Sequence, residues 1–561
     1  MNISGLQIHN FRSICDLTVL LSDYTLFVGA NNAGKSNVVD ALRCFLGTYA
    51  YDRDTDFPRT KGMKIKDELT WVDVEFDGVG QANVGEELSV AVRDGMLRVR
   101  RTLEVVDGKL KSWYCAVDGD GRAVKGTKSV KTLPKGLSLA VSYLPSMSKP
   151  SDDLKMSGAS LLKDLIGDSI RAAFEKLGAV GQLQKTVRRL VVGSKNSDKG
   201  ESALSKFESK VAHEISNWGA SFVLGTKDLD VADVIKNLLE VRIGDIQTHG
   251  ETEIDRFGSG FQRNLIFSII KSAAEIQMVG ASESRRILIF EEPEAFLHPD
   301  QQEELARSLR ELAKRGIQIV CTSHSPCFVG RKMDDVTSIV RVVKNKGVTV
   351  SRQITGDAWK EIIKAGGNFP KYLMPYIKGT TAYLDSFRYA FWFAGQRASV
   401  CFARQVLLVE GATEAALFAR LQDDGRLHLP TGTVVVDCMG KFNLHRFMAV
   451  MHGWGIPFAV VHDDDSGKTG KKLKEHSVWN RFVDHNARKS KAKVLALKGD
   501  LEITLGVEKP NNNRDDVKPY HLLNEYEKGR CKGVDKLCRD IENLFKGLKV
   551  KRGNEEEIES V

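Results

Sequence analysis

Hydrophobic positions along the chain switch repeatedly between the two-residue period of strands and the wider spacing of helices. Ile3, Leu6 and Ile8 predict a first strand, and Leu17 to Leu21 a second. Leu26-Phe27-Val28 is a short continuous apolar run of the kind a buried strand needs, and Lys35 to Leu46 have helical spacing. Residues 68–145 predict a β-rich stretch with strands over Leu69–Phe76, Leu88–Val92, Leu97–Val106 and Leu137–Tyr143. Glycine and aspartate clusters such as Val117-Asp118-Gly119-Asp120-Gly121 mark the turns. Residues 150–240 then change character. They are rich in Lys, Glu, Ala and Leu, with helical spacing at Leu161, Leu162, Leu165 and Ile166 and a polar loop tip over Gly193–Gly200. They read as a helical insertion, either a plain subdomain or a dimerisation arm.

Beyond the insertion, Gly258-Ser259-Gly260-Phe261-Gln262-Arg263 is a glycine-serine turn that opens an apolar helix, Asn264 to Ala273. Arg286–Phe290 predicts a buried strand, Gln301–Arg315 a helix and Ile317–Thr322 another strand. Strands alternating with helices imply an α/β fold with a parallel sheet. Residues 355–400 are aromatic-rich and read as connecting helices. From Gln405 a second α/β pattern begins, with core strands over Val406–Val409, Thr433–Val436 and Phe458–Val461. At 561 residues the chain is too long for one core. The expected division is a first domain over 1–355, a helical connector over 356–400 and a second domain over 401–561 ending in a helix.

The first candidate site is Gly29-Ala30-Asn31-Asn32-Ala33-Gly34-Lys35-Ser36, which fits G-x-x-x-x-G-K-[ST] with a strand before it and a helix after it. Gly29 and Gly34 let the backbone amides of the loop, including those of Asn31 and Asn32, turn onto phosphate oxygens. Lys35 supplies charge to the β- and γ-phosphates, Ser36 offers a hydroxyl to Mg2+, and the helix N-terminus adds its partial positive charge. ATP is the expected ligand. Ile287-Leu288-Ile289-Phe290 ends in Glu291 and Glu292, of which the first can hold the Mg2+ shell and the second orient a water. Ile319 to Ser323 leads to His324, a further polar group at a strand end.

The second candidate site lies near the C-terminus. Val406-Leu407-Leu408-Val409 delivers Glu410 into a glycine turn, and Glu414 follows four residues later on a helix, Thr413 to Leu421. After the strand Phe458–Val461 comes His462-Asp463-Asp464-Asp465, in which Asp463 and Asp465 alternate onto one side of an extended segment. Asp500 and Glu502 follow the strand Val494–Leu497. Any one cluster taken alone reads more readily as solvated carboxylates at a loop end. Together they would repel unless cations neutralised them, and oxygen-only ligands favour Mg2+ or Mn2+. Two such ions ~3.5–4 Å apart can clamp the attacking and leaving oxygens of a phosphodiester displacement.

Composition sets the setting. The net charge of +9 permits a polyanionic partner without demanding one. Between Gly467 and Gly499 ten Lys and Arg stand against two acidic residues, which reads either as a solvated mobile loop or as a surface for a DNA backbone. Nine scattered cysteines show no CxxC pair, so no structural zinc is expected. No apolar run is long enough to span a bilayer, and the N-terminus runs straight into a strand pattern. A reducing cytosol, with no membrane, is the expectation.

The order of phosphate loop, glycine-serine signature, acidic strand end and histidine resembles the ABC-type ATPases. Asn10-Phe11-Arg12-Ser13 and Glu291-Glu292-Pro293-Glu294-Ala295-Phe296-Leu297-His298-Pro299 look like the branch that serves recombination and chromosome maintenance. The resemblance implies that Ser259 and Gly260 face the ATP of a partner head, hence at least a homodimer. Glu291 stands where many such proteins have Asp, and Gln81 lies in the wrong context for a Q-loop. The glutamate-glycine and D-x-D pattern resembles a Toprim domain. An ABC-type head with a helical insertion followed by a Toprim α/β domain is similar to the overcoming-lysogenization-defect (OLD) family, which includes the Gabija nuclease subunit and retron-associated effectors. By resemblance, Glu410, Glu414, Asp463, Asp465, Asp500 and Glu502 are metal ligands or their neighbours, and Lys518 is a late basic residue suited to transition-state charge. The same resemblance implies an ATP-controlled, metal-dependent DNA endonuclease of antiphage defence. It would be a homodimer or homotetramer, with a helicase or a reverse transcriptase and its RNA or DNA as candidate partners. A rival reading is an ATP-switched DNA-binding repair factor whose Toprim domain is not catalytic. A primase or topoisomerase is disfavoured, because no primase zinc ribbon or catalytic tyrosine accompanies the pattern.

Overall fold

The computed structural model of the chain describes residues 1–59, 65, 67–81, 84–146, 210–213, 243–244, 251–252, 256–277, 286–330, 333–367, 395–509 and 517–548. It divides into two compact units. The first comprises Met1–Val141, Arg285–Glu294 and Gln302–Val561, and the second Ser142–Ser284 with Ala295–Gln301. Apart from a helical turn at 210–213, the expected insertion over 150–240 lies outside the described residues, as does 368–394 of the expected connector.

The first unit begins with an antiparallel sheet. Strands β1 (Asn2–Phe11), β2 (Ile14–Leu20), β4 (Thr70–Asp77), β5 (Leu97–Val106) and β6 (Lys109–Ala116) take the order β2-β1-β4-β5-β6. β6 was not expected from its sparse apolar pattern. Its signal is Asp107-Gly108, both at positive φ (53° and 73°), the two-residue turn that suits a twisted hairpin. Leu88–Val92 is a correction. It is not a strand; Glu86–Ser89 forms one helical turn, begun by Gly85 and by two acidic residues at the turn's N-terminus. Leu88 and Val92 are buried while Val90 is 61% exposed, so the helical turn and the loop after it bury the ends of the run without a partner strand. The strand expected over Leu137–Tyr143 is also shorter, starting at Ala140.

A second sheet holds β3 (Tyr24–Val28), β7 (Arg286–Glu291), β8 (Gln318–Thr322), β9 (Ile339–Asn345) and β10 (Val348–Gln353), in the order β10-β9-β3-β8-β7. Helix α1 (Lys35–Phe45) follows β3, and α2 (Pro299–Lys314) connects β7 to β8. β7, β8 and β3 are buried at every position, which is why they read as unbroken apolar runs. Parallel pairing sets Glu291 opposite Thr322, and Thr322 opposite Phe27. The carboxyl ends of three neighbouring strands therefore share one edge, where open α/β sheets bind ligands.

The Toprim-type sheet is parallel throughout. β11 (Gln405–Val409), β12 (Thr433–Asp437), β13 (Phe458–Asp463) and β14 (Lys493–Leu497) take the order β12-β11-β13-β14. Its helices are α4 (Ala412–Asp423), α5 (Leu444–Gly453), α6 (Gly470–Lys489), α7 (Leu501–Leu505), α8 (Lys518–Glu527) and α9 (Val534–Phe545), preceded by α3 (Gly356–Gly367) before β11. The core gathers Leu407, Val409, Leu417, Phe418, Val461, Leu522 and Ile541, all fully buried. The basic stretch after Gly467 is the second correction. It is not a loop: α6 runs twenty residues and buries Trp479, Phe482, Val483 and Ala487, an apolar stripe at helical spacing. Among the described residues no helix is long and apolar enough to cross a membrane, and no disulfide joins the nine cysteines.

Candidate functional site

The loop between β3 and α1 has the backbone its sequence demands. Gly34, the cap of α1, sits at φ 106°, and a Cβ there would overlap Thr349 on β10. A Cβ on Gly29 (φ 150°) would overlap the Val342 carbonyl on β9. Asn32 takes the left-handed region (φ 61°) that asparagine tolerates, and Asn31 and Asn32 are exposed. Thr349 holds the loop by donating to Ala33 O at 2.9 Å, and its hydroxyl meets Ser13 Oγ at 2.7 Å. The neighbouring Arg12 guanidinium binds Asp56 and Asp40, each at 2.8 Å. The NFRS segment thus braces the start of α1.

Five of the expected ATP-site side chains converge. Lys35, 6% exposed, donates to Gly29 O at 3.1 Å and Ala30 O at 3.2 Å, and its Nζ lies 2.8 Å from His324 Nε2. Burial lowers the lysine pKa, against the pull of Glu292, Glu294 and Glu291. Burial and the Lys35 charge also lower that of His324, which favours the neutral imidazole, and its Nε2 accepts a hydrogen bond from the Lys35 ammonium. Ser36 Oγ donates to Glu291 Oε2 at 2.7 Å. Glu292, 3.3 Å from His324 Nε2, sits at φ 47°. Its amide is held by Thr322 O at 2.9 Å, which keeps an otherwise disfavoured conformation at the strand end. In the second unit Ser259 and Gly260 open the helix Ser259–Gln277 directly, so the expected turn is already its first turn. A Cβ on Gly260 would stand 2.9 Å from Phe296 O.

The acidic site is built by three strand ends of the Toprim-type sheet. Val409 pairs with Val461, and Asp463 with Leu497, so Glu410, Asp463 and the turn before Asp500 share one edge. Glu410 Oε2 accepts the Asp463 amide at 3.2 Å. Glu414, 6% exposed, accepts the Gly411 amide at 3.0 Å and so caps α4. Burial pushes the Glu414 carboxyl up to about 7, with the charges of Glu410 and Glu502 adding to it. Burial raises Glu410 likewise, and pushes Asp463 up to about 9 beside Glu410 and Glu414. Asp463 Oδ1 is buried with no hydrogen-bond partner. A bare buried carboxylate oxygen among like charges fits a cation in kind. Yet among the described residues no three His, Cys, Asp or Glu side chains are gathered as an ion's ligands.

A residue the sequence did not reveal also occupies the site. Lys441 is 2% exposed and reaches Asp465, Asp463 O (2.5 Å) and Glu410 Oε2 (3.8 Å). Asp465, at φ 56°, also meets Lys468 at 2.6 Å and His476 Nδ1 at 2.7 Å. Burial works against ionisation of Asp465, but these hydrogen bonds outweigh it and its pKa falls. Asp464 accepts the amides of Ser466 (2.8 Å) and Gly499 (2.6 Å), tying β13 to β14. Asp500 caps α7 through the Ile503 amide at 3.0 Å and pairs with Lys509. Glu502 is 7% exposed. Lys518 is the first residue of α8, and its charge bears on Lys509.

Comparison with known proteins follows this division. Residues 1–94 and 160–329 match the family described as "AAA ATPase domain". Residues 401–465 match "Overcoming lysogenization defect protein-like, TOPRIM domain". The Old nuclease of Escherichia phage P2 is 23% identical over 488 residues, spanning 83% of this chain and 77% of that protein. The OLD nuclease of Thermus scotoductus is 23% identical over 546 residues, 93% of this chain and 94% of that protein. Among solved structures, the SMC head domain from Thermotoga maritima aligns with a TM-score of 0.31 at 15% identity, over 63% of this chain and 99% of that one. An AAA ATPase domain match and a Toprim domain match on one α/β chain define an ATPase–Toprim protein. In both domain matches and in these relatives the chain is similar to the overcoming-lysogenization-defect (OLD) nucleases.

Proposed function

We propose that the chain is an ATP-controlled DNA endonuclease: its head binds and hydrolyses ATP, and its Toprim domain cuts phosphodiester bonds with Mg2+ or Mn2+. The observation that carries the reading is the bare, buried Asp463 Oδ1 beside Glu410 and Glu414 on one sheet edge. Relatives of matching length named as nucleases support it. In the head, Lys35 binds the phosphates, Ser36 and Glu291 hold the ion's shell, and Glu292 orients the water, with neutral His324 as its neighbour. In the Toprim domain, divalent ions when bound supply Lewis acidity and an activated water. Glu410, Glu414 and Asp463 would hold them, with Glu502 adding negative charge and Asp500 fixing α7. Lys518, at the start of α8, offers charge to the developing phosphorane.

DNA is the polyanion. Lys471, Lys472, Lys474, Arg488 and Lys489 project from α6, which begins five residues after Asp465. They suit backbone contact without base readout. Ser259 and Gly260 are assigned to a partner's ATP, so a homodimer or homotetramer is the working form, and antiphage defence in the cytosol is the setting. A helicase or a reverse transcriptase would be the companion protein. Incubating supercoiled plasmid with Mg2+ or Mn2+, with and without ATP, tests the reading: nicking or linearisation is expected. A protein that hydrolyses ATP and retains plasmid in gel shifts but cuts nothing would favour the non-catalytic repair factor instead.

A further inference from the structure

The Toprim centre contains a cation of its own. Gly440, at φ 107°, donates its amide to Glu410 O at 2.6 Å, which fastens the loop after β12 to the loop after β11. The next residue, Lys441, is thereby aimed under the carboxylates, with its side chain 1% exposed. Its ammonium donates to an Asp465 oxygen and to Asp463 O, and lies 3.8 Å from Glu410 Oε2, close enough for charge attraction. The two aspartates of the D-x-D are therefore not equivalent. Asp465 is consumed by Lys441, Lys468 and His476, while the Asp463 carboxylate keeps a bare oxygen.

The geometry points to Lys441 as a built-in counter-ion of the Toprim centre, a positioning residue that holds Glu410 and the D-x-D segment assembled before divalent ions load. The inference rests on the metal-centre reading above. Five carboxylates (Glu410, Glu414, Asp463, Asp465 and Glu502) crowd one sheet edge. A buried ion pair is costly to break, because the abandoned charges stay out of water. An ammonium in their midst offsets that repulsion in the metal-free protein. It also competes with an incoming ion, since both answer the same negative charge. By linkage, a change that harms the metal-free state more than the loaded state must tighten metal binding.

The test is thermal unfolding of the nucleotide-free full chain, with and without Mn2+, for the wild type, Lys441→Met and Lys441→Arg. Lys441→Met should melt below the wild type without Mn2+. Mn2+ should raise its melting temperature roughly twice as much as it raises that of the wild type. Lys441→Arg should restore most of the wild-type pattern. An equal drop with and without Mn2+ would reduce Lys441 to packing and overturn the inference, as would a smaller Mn2+ shift in the variant. If Lys441→Met does not fold without metal, refolding it and Lys441→Gln in Mn2+ decides: recovery in Mn2+ supports the counter-ion role, and failure of both overturns it. Should Mn2+ shift none of the proteins, wild type included, the metal centre itself is refuted rather than the lysine's part in it.

Discussion

Ser36 Oγ and Glu291 Oε2 lie 2.7 Å apart, joining the first turn of α1 to the end of β7 across some 255 residues of sequence. The two groups that would share an ion in the head are thus already in mutual contact, with Lys35 beside them on the same turn.

Lys35→Ala should weaken ATP binding by about 10- to 100-fold, the loss of one charge-assisted contact to phosphate. Isothermal titration calorimetry checks it, and unchanged affinity would remove the assignment of the loop. Folding should survive, because the lysine's partners are its own loop's carbonyls and His324.

Gly34→Ala should act differently. It forces a side chain onto φ 106° and into Thr349, so the loop and the β10 contact both shift. A stability loss of about 1–3 kcal/mol is expected together with weakened ATP binding. Urea titration of the variant, beside Thr349→Ser as a control that keeps the hydroxyl bonds, measures the first part. A neutral Gly34→Ala would mean the loop is not held as described.

Much of this could be read from the residues alone, and the reasons are physical. β3, β7, β8, β11 and β13 are buried on both faces, so their apolar runs end sharply where the chain leaves the core. The polar residues at those ends, Lys35, Glu291, Glu292, His324, Glu410 and Asp463, are for that reason conspicuous. Lys441 gives no such signal. It follows an ordinary Met439-Gly440 turn, and only the tether from Gly440 to Glu410 turns it inward. Thr349 is likewise silent, since its role depends on a hairpin far along the chain packing on Gly34. In α6 the basic residues outnumber the buried stripe of Trp479, Phe482, Val483 and Ala487, and charge masked the helical period. The strand β6 was hidden by Lys109, Leu110 and Lys111, exposed at the open edge of its sheet.

His9 provides a pH test away from either site. Its Nδ1 lies 2.5 Å from Asp16 and its Nε2 3.2 Å from Asp67, with its ring stacked on Trp71. Burial lowers its pKa, but the hydrogen bonds and charges of the two aspartates outweigh that and the net shift is upward from 6.5. A raised folded-state pKa gives stability that is fully present below the unfolded value and is lost as pH rises through the folded one. Both aspartates are 47% exposed, so solvent screening holds the contribution to about 1 kcal/mol or less. Melting temperature should fall modestly as pH rises from about 6 through 8, and His9→Asn should flatten that slope. An identical slope in the variant would assign it to other groups.

The decisive prediction separates the two chemistries. Glu410, Glu414 and Asp463 belong to the Toprim-type sheet, whereas Lys35, Ser36, Glu291 and Glu292 belong to the sheet built on β3. Asp463→Asn keeps the shape of the side chain and removes the carboxylate an ion would bind, at a position where burial already pushes the carboxyl up to about 9. Without divalent ions it should therefore melt no lower than the wild type, because the metal-free carboxyl is held protonated and its Oδ1 has no partner to lose. Plasmid nicking in Mg2+ or Mn2+ should nevertheless fall below about 1% of wild type, as removal of a ligand at a reacting phosphate requires. ATP hydrolysis should stay within about twofold, since no nucleotide contact is touched. Glu410→Ala should lose nicking as well, though with lower stability, because its carboxylate holds the Asp463 amide and faces Lys441. Asp465→Asn offers the contrast: it leaves Asp463 bare but removes the anchor of Lys441, Lys468 and His476, so its melting temperature should drop along with its activity. Nicking that persists in an Asp463→Asn, Asp465→Asn double variant would place the scissile phosphate elsewhere.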